Sequence, residues 1–278
     1  MKCNNCNLVA IDPLPQLDDM IARSEYWAEK HHKQSVKVKQ HFSENFQQVV
    51  YSRYFKEMNL YKHTGRILDI GCGIGSFIYA AEKIGWQAYG VDIGPAISVA
   101  KEHNLSVFKG RLEDASFPEN YFDVISMFDV IEHISDLNSL METIRKNLRN
   151  NGLLIIKTPN LRCLTARLLK QNWSALQPLD HLVLFSSETL NSYLLKFGFD
   201  VIRSNTWDIN IFEIINAICK INNTNKDTKT DHNTEHSKRK LIKRIINNKA
   251  LQLARNIINR ILNKFYLGES LIVWAENR

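Results

Sequence analysis

The chain has 278 residues, 44% of them hydrophobic: enough for one substantial core plus appendages, with no run of eighteen apolar residues to cross a membrane. Five cysteines without framework spacing, and an N-terminus MKCNNCNLVAIDPLP that lacks a secretory apolar stretch, point to a reducing, cytoplasmic setting. The net charge of +7 is local: residues 238–264 hold nine Lys or Arg and no acid, and the remaining 27 basic against 29 acidic residues argue against a nucleic-acid groove spread over the fold.

Residues 1–16 carry Cys3 and Cys6 as C-x-x-C, followed by Leu8, Val9 and two prolines. The pattern resembles half of a zinc-ribbon hairpin. A structural zinc needs four ligands, and Cys72, Cys163 and Cys219 are isolated, so a degenerate remnant is expected and no metal is assigned. Residues 17–62 read as helical, with Tyr26, Trp27, Phe42, Phe46, Val49, Val50, Tyr54 and Phe55 available to pack on the next layer.

GRILDIGCGIG at 65–75 is the most informative stretch. Ile67, Leu68 and Ile70 form a buried-strand run that Asp69 interrupts, and Gly71, Gly73 and Gly75 follow at once. Glycines ending a parallel strand let the backbone pass close to a ligand, because no Cβ blocks the approach. Ser76 suits the N-cap of a helix over 76–84, so the loop opens a helix N-terminus at the carboxyl end of a strand, where open α/β sheets bind ligands. Asp92, in YGVDI, suits a ribose diol. These features fit a dinucleotide fold too, although its third glycine usually comes one residue later.

Further strands are expected near 87–92, 106–108, 122–127 and 152–157, with helices near 95–103 and 136–149 and a stop at Gly152. A helix over 187–197 ends at Gly198 and leads into a strand near 199–205. The expected fold is α/β: a Rossmann-like, seven-stranded, mostly parallel sheet with helices on both faces, spanning 63–210 and closed by a final strand in 267–278. Between them lie a polar linker, 211–237, expected to be disordered over 222–237, and a basic amphipathic helix over 238–266. That helix suits an anionic membrane surface, the body of the protein, or a partner subunit in a homodimer.

LDIGCGIGSF, GVDI, FDVISMFDVIEHISD and NGLLIIKTPN, in this order and spacing over roughly residues 60–205, resemble the class I S-adenosylmethionine-dependent methyltransferases. Within them the chain is similar to the branch of ubiquinone-type O-methyltransferases and polysaccharide-cluster methyltransferases. The resemblance implies S-adenosyl-L-methionine as cofactor. It implies that Asp69, Gly71, Cys72, Gly73 and Gly75 hold its amino acid end, Asp92 its ribose, Ile93, Leu112 and Glu113 its adenine, and Phe128 its methionine portion. It also implies a helical lid at 17–62 and an acceptor lid at 158–186, where Trp173 walls the pocket or anchors the lid.

FDVIEHISD contains D-x-x-E-H, with Asp129, Glu132 and His133 on one face of a helix-like turn. Some relatives carry E-x-x-E-H there with a distant histidine and bind a divalent metal; here Asp129 replaces the first Glu and His181 is the candidate fourth ligand. Metal-free relatives carry E-H as well. His181 and His133 are the candidate general bases, since an unperturbed histidine titrates near pH ~6.5. The expected activity is methyl transfer to an oxygen of a small or carrier-linked acceptor: a sugar, a quinone-like lipid or a secondary metabolite. A non-catalytic cofactor-binding relative and a nucleotide-dependent oxidoreductase are the alternatives, and the localised charge disfavours RNA as acceptor.

Overall fold

A computed structural model describes residues 1–4, 6–13, 35–177, 180–210, 213–214 and 249–278. The expected helix over 17–34, with Tyr26 and Trp27, the linker over 222–237 that the sequence reads as disordered, and the stretch 238–248 lie outside the described residues. Chain contacts divide into two compact units: residues 1–158, 178–204 and 272–278, and residues 159–177 and 205–271.

In the first unit, three short helices, α1 (Ser35–His41), α2 (Glu44–Val50) and α3 (Ser52–Met58), precede the sheet. β2 (Arg66–Ile70), α4 (Ser76–Lys83), β3 (Gln87–Asp92), α5 (Ile97–Glu102) and β4 (Val107–Lys109) follow in strict alternation. Next come β5 (Phe122–Phe128), α6 (Leu137–Asn147) and β6 (Leu148–Pro159). The sheet order is β4-β3-β2-β5-β6-β9-β8, where β8 is Phe199–Trp207 and β9 Ser270–Asn277. β2 pairs in parallel with β3 and β5, and β3 with β4 and β5 with β6 do the same.

The centres of the middle strands are largely apolar because helices leave neither face to water. Val124, Ile125 and Met127 of β5 and Leu153, Leu154, Ile155 and Ile156 of β6 are fully buried. β9 runs antiparallel to β8: Arg278 N donates to Gly198 O at one end (3.2 Å) and Glu269 N to Asp208 O at the other (3.0 Å). Within β5, Ser126 is the buried polar residue of the otherwise apolar stretch 124–128.

Two expected boundaries shift. Gly75, not Ser76, is the N-cap of α4, and Ser76 is a buried first residue whose Oγ lies 2.6 Å from Tyr51 Oη. The helix expected over 136–149 stops at Asn147. The Asn147 side chain donates to the carbonyls of Phe117 (3.0 Å) and Pro118 (3.1 Å), and Leu148 already pairs with Phe122. The register then slips before Val124↔Leu153, so residues between form an irregularity with Asn151 at φ 59°.

At the N-terminus, Lys2 bridges Val9, Cys3 N donates to Leu8 O (2.8 Å) and Asn7 N to Cys3 O (3.0 Å), a small hairpin with both cysteines exposed. Its β1 (Val9–Ala10) pairs antiparallel with β7 (Val183–Leu184), which precedes α8 (Ser187–Lys196).

The second unit takes only part of the segment read as an acceptor lid: residues 159–177 belong to it, and 178–186 to the first. It holds α7 (Leu164–Leu169) and α9 (Lys249–Lys264). Asn160 Nδ2 donates to Tyr266 O (2.9 Å) and Gly268 O (2.8 Å). Trp173 is 3% exposed and its Nε1 donates to Glu269 Oε1 (2.7 Å), which makes it an anchor of this unit.

Candidate active site

The carboxyl end of β2 opens into the glycine loop. Gly71 N and Cys72 N both donate to Val91 O (2.8 and 3.1 Å), tying the loop to β3. Gly73 sits at φ +53° with open space where a side chain would begin, and Gly75 at φ +80° would drive a Cβ to 2.5 Å from Leu105 Cδ1. So Gly75 is required for packing the helix start, while Gly73 leaves a bare backbone facing free volume.

Asp69 is buried, and its Oδ1 accepts from Ser126 Oγ at 2.8 Å across the β2–β5 register. Its pKa is pushed up to about 7: burial is the main cause, the Ser126 hydroxyl opposes it, and the nearby Asp92 charge adds to the rise. A positively charged ligand group beside it would return the carboxylate to its ionised form. Asp92 closes the loop from the other side: Oδ2 accepts from Gly73 N (2.7 Å) and Oδ1 from Gly94 N (2.6 Å). Each oxygen keeps a lone pair for a hydroxyl. Burial raises its pKa against these two backbone donors.

A cavity of about 260 Å³ lies over this loop, lined among others by Asp69, Gly71, Cys72, Phe128, Asp129 and Lys157. Val50, Tyr51 and Tyr54, from the helices before the sheet, form its other wall. Phe128 meets Tyr54 (4.8 Å between centroids) and Phe77 (4.9 Å), both edge-on. Burial pushes the Tyr51 hydroxyl up, against its bond to Ser76 and with the Asp69 charge adding to the rise.

The other expected cofactor residues stand off the cavity wall. Ile93 is half-buried just past Asp92. Leu112 is buried in a short 3-10 turn, Leu112–Asp114, and Glu113 pairs with Arg111 at 2.8 Å. Cys72, by contrast, is on the cavity wall; it is largely buried, and burial holds its thiol well above the usual range.

Beyond β5 the chain turns sharply. Asp129 adopts φ 57°, a left-handed conformation that aspartate tolerates better than most residues, and its carboxylate pairs with Lys157. The one-face reading of Asp129, Glu132 and His133 therefore fails: Asp129 turns away, and His181 takes the third place. Donor atoms of Glu132, His133 and His181 all lie within 4.8 Å of one another. The two imidazoles meet edge-on at 4.9 Å.

His133 Nδ1 lies 2.5 Å from Asp180 O. A carbonyl only accepts, so Nδ1 carries the proton, which leaves Nε2 as the acceptor atom of the neutral ring. Glu132 is fully buried, its Oε2 accepts from Thr158 Oγ1 (2.9 Å), and its Oε1 has no hydrogen-bond partner among the described residues. Burial, then the Asp129 charge, pushes Glu132 up to about 7, while His181 acts the other way. A buried carboxylate oxygen facing two imidazoles can take a proton or a cation, and the three donors suit a divalent ion of the zinc or manganese type. Thr158 follows Lys157 of the cavity wall, so cluster and cavity flank one strand end.

Sequence reasoning missed Ser126, Lys157 and Tyr51. The first two carried a signal, as a hydroxyl and a cation standing in the apolar strands of IKT and VISMF type.

A mostly parallel seven-stranded sheet with an antiparallel β9, a glycine loop after β2, a buried acid inside β2 and a second acid at the end of β3 is the arrangement of a class I methyltransferase fold. The profile of a family described as a methyltransferase domain matches residues 23–204. The mitochondrial ubiquinone biosynthesis O-methyltransferase of Schizosaccharomyces pombe is 33% identical over 125 residues, covering 41% of this chain and 44% of that protein. Phosphoethanolamine N-methyltransferase 1 of Arabidopsis thaliana is 35% identical over 111 residues, covering 37% of this chain and 22% of that protein. A crystal structure of a SAM-dependent methyltransferase from Archaeoglobus fulgidus aligns with a TM-score of 0.55 at 21% identity, covering 83% of this chain and 94% of that one. The chain thus matches less than half the length of these curated relatives, and the likeness to the solved structure is one of fold. The chain belongs to the methyltransferase-domain family, of the class I S-adenosylmethionine-dependent type.

Proposed function

We propose that this chain transfers a methyl group from S-adenosylmethionine to an oxygen of a small or carrier-linked acceptor. The observation that carries the reading is the pairing of Asp69 with open backbone at Gly73, closed off by Asp92. Bound there, the cofactor supplies a methyl group on a sulfonium sulfur, ready for in-line displacement. Asp69 would face its ammonium and Asp92 its ribose hydroxyls, while the bare backbone at Gly73 would leave room for the ligand to pass close to the loop. Phe128, Tyr54 and Phe77 would exclude water beside the methionine portion, where desolvation strengthens attraction to charge.

Oxygen as the methylated atom draws support from the cluster beyond β5. A neutral hydroxyl is a poor nucleophile and gains most from losing its proton, whereas a neutral amine needs no base. His133, with Nδ1–H fixed on Asp180 O, presents Nε2 as acceptor, and His181 stands beside it. The relative named for O-methylation favours the same reading; the one named for N-methylation keeps nitrogen as the outcome to test against.

A second reading rests on the orphaned Glu132 Oε1. Glu132, His133 and His181 would hold a divalent cation that lowers the pKa of an acceptor hydroxyl. Production of S-adenosylhomocysteine from matched hydroxyl and amine acceptors, before and after chelation, separates the possibilities. Turnover with amines alone would overturn oxygen methylation, and turnover insensitive to chelation would leave the histidines as bases.

A further inference from the structure

In the second unit, α9 leaves an apolar stripe uncovered over its described turns. Its inward side over 257–264 is mixed: Leu262 is 6% exposed, Asn259 is half-buried, and Asn263 Oδ1 accepts from Thr206 N at 2.8 Å. Its outward side is apolar. Ile257, Ile261 and Phe265 recur every four residues and are 51, 53 and 61% exposed, with Ile258 alongside at 39%. At 100° per residue these four positions fill an arc of about 100°, the width of stripe that a helix ordinarily buries. Arg260 and Lys264, both exposed, border one edge of that arc, and Tyr266, 44% exposed, follows at its end.

We propose that α9 docks on an anionic lipid surface, lying in the plane of the interface. Ile257, Ile258, Ile261 and Phe265 enter the boundary between headgroups and acyl chains, and Arg260 and Lys264 meet the headgroup phosphates. Charge selects this occupant. Residues 238–264 carry nine Lys or Arg and no Asp or Glu, whereas the rest of the chain is slightly acidic. A second copy of α9 would bring like charges together, while an anionic leaflet attracts them. The mode is peripheral: among the described residues no helix is long and apolar enough to cross a membrane. Tyr266 suits the same depth, because an amphipathic ring prefers the headgroup level.

The test is flotation of the full chain with vesicles of equal parts phosphatidylcholine and phosphatidylglycerol, against vesicles of phosphatidylcholine alone. The proposal expects binding to the first only, weakening as salt is raised. Replacing Ile257, Ile261 and Phe265 together by Ser should abolish binding without lowering the melting temperature, since all three are exposed. Arg260→Ser and Lys264→Ser should each weaken it by about fivefold. No binding to the anionic vesicles, or equal binding to both kinds, would overturn the proposal. So would a triple variant that binds like the wild type. A dimer in solution that the triple variant splits would assign the stripe to a second copy. A large fall in melting temperature of the triple variant would assign it to the chain's own residues 215–248.

Discussion

Two neighbouring strands of the sheet end beside buried carboxylates, and the two ends are built for different ligands. Asp69, in β2, and Glu132, just past β5, are both buried, both bonded to one hydroxyl, and both pushed up to about 7. Beside Asp69 stand the glycine loop and a second acid, Asp92, which ties down Gly73 N, with open volume at Gly73. Around Glu132 stand two imidazoles. The burial of an acid therefore says that something must compensate it, and the neighbours say what. At β2 the missing partner is a cationic, hydroxyl-bearing ligand. At β5 it is a proton or a metal ion.

If the two ends are separate in function, mutations should divide cleanly between turnover and cofactor affinity. The largest effect falls on the β5 side. His133→Ala should lower kcat by about 10²- to 10⁴-fold, as expected when a general base or a ligand to one is removed. The affinity for S-adenosylhomocysteine, measured by calorimetry, should stay unchanged. Weakened cofactor binding in that variant would break the comparison. On the β2 side, Asp92→Ala removes the acceptor for two backbone N–H groups and for the ribose. The affinity should fall by about a hundredfold, the scale of two lost charge-assisted hydrogen bonds.

The pH dependence sharpens the β2 end further. Asp69 is raised above its ordinary value, so between pH about 4 and 7 the unfolded chain has lost the proton that the folded chain keeps. Its contribution to stability without ligand therefore falls as pH rises through that window and levels off above 7. Asp69→Asn should flatten that part of the melting curve against pH. A ligand ammonium favours the ionised form, so affinity for S-adenosylhomocysteine should climb by up to about tenfold per pH unit toward 7, then level off. An affinity flat from pH 5 to 7 would remove Asp69 from the ammonium site. The smallest effect is expected at Gly73→Ala, where the left-handed backbone costs about 1 kcal/mol of stability. There the new methyl group would occupy space left for the ligand, so affinity should drop more than stability.

The β2 end was the more legible of the two, for physical reasons. Its elements are local in sequence: strand, glycines and helix start follow within residues 66–76, and Asp92 ends the adjacent strand. The β5 end depends on residues far apart. His181 reaches Glu132 and His133 only because Leu182 N donates to Glu132 O (2.7 Å) and β7 pairs with β1. No spacing rule announces such a contact. Asp129 departs from helical spacing for a related reason, since the stretch contains a left-handed turn that no residue pattern announces. The anchoring role of Trp173 depends on Glu269, almost a hundred residues later, which accepts its indole N–H. At α9 amphipathicity was legible, but which side faces outward was not.

The most direct test of the central claim, that the end of β2 holds S-adenosylmethionine, is thermal unfolding of the purified chain with S-adenosylhomocysteine, with NADH in parallel. A ligand that binds only the native state stabilises it by about 2.7 kcal/mol at a hundredfold excess over Kd. The structure predicts a saturable rise in melting temperature with S-adenosylhomocysteine, none with NADH, and loss of the rise in Asp92→Ala. A rise with NADH instead, or an undiminished rise in Asp92→Ala, would contradict it.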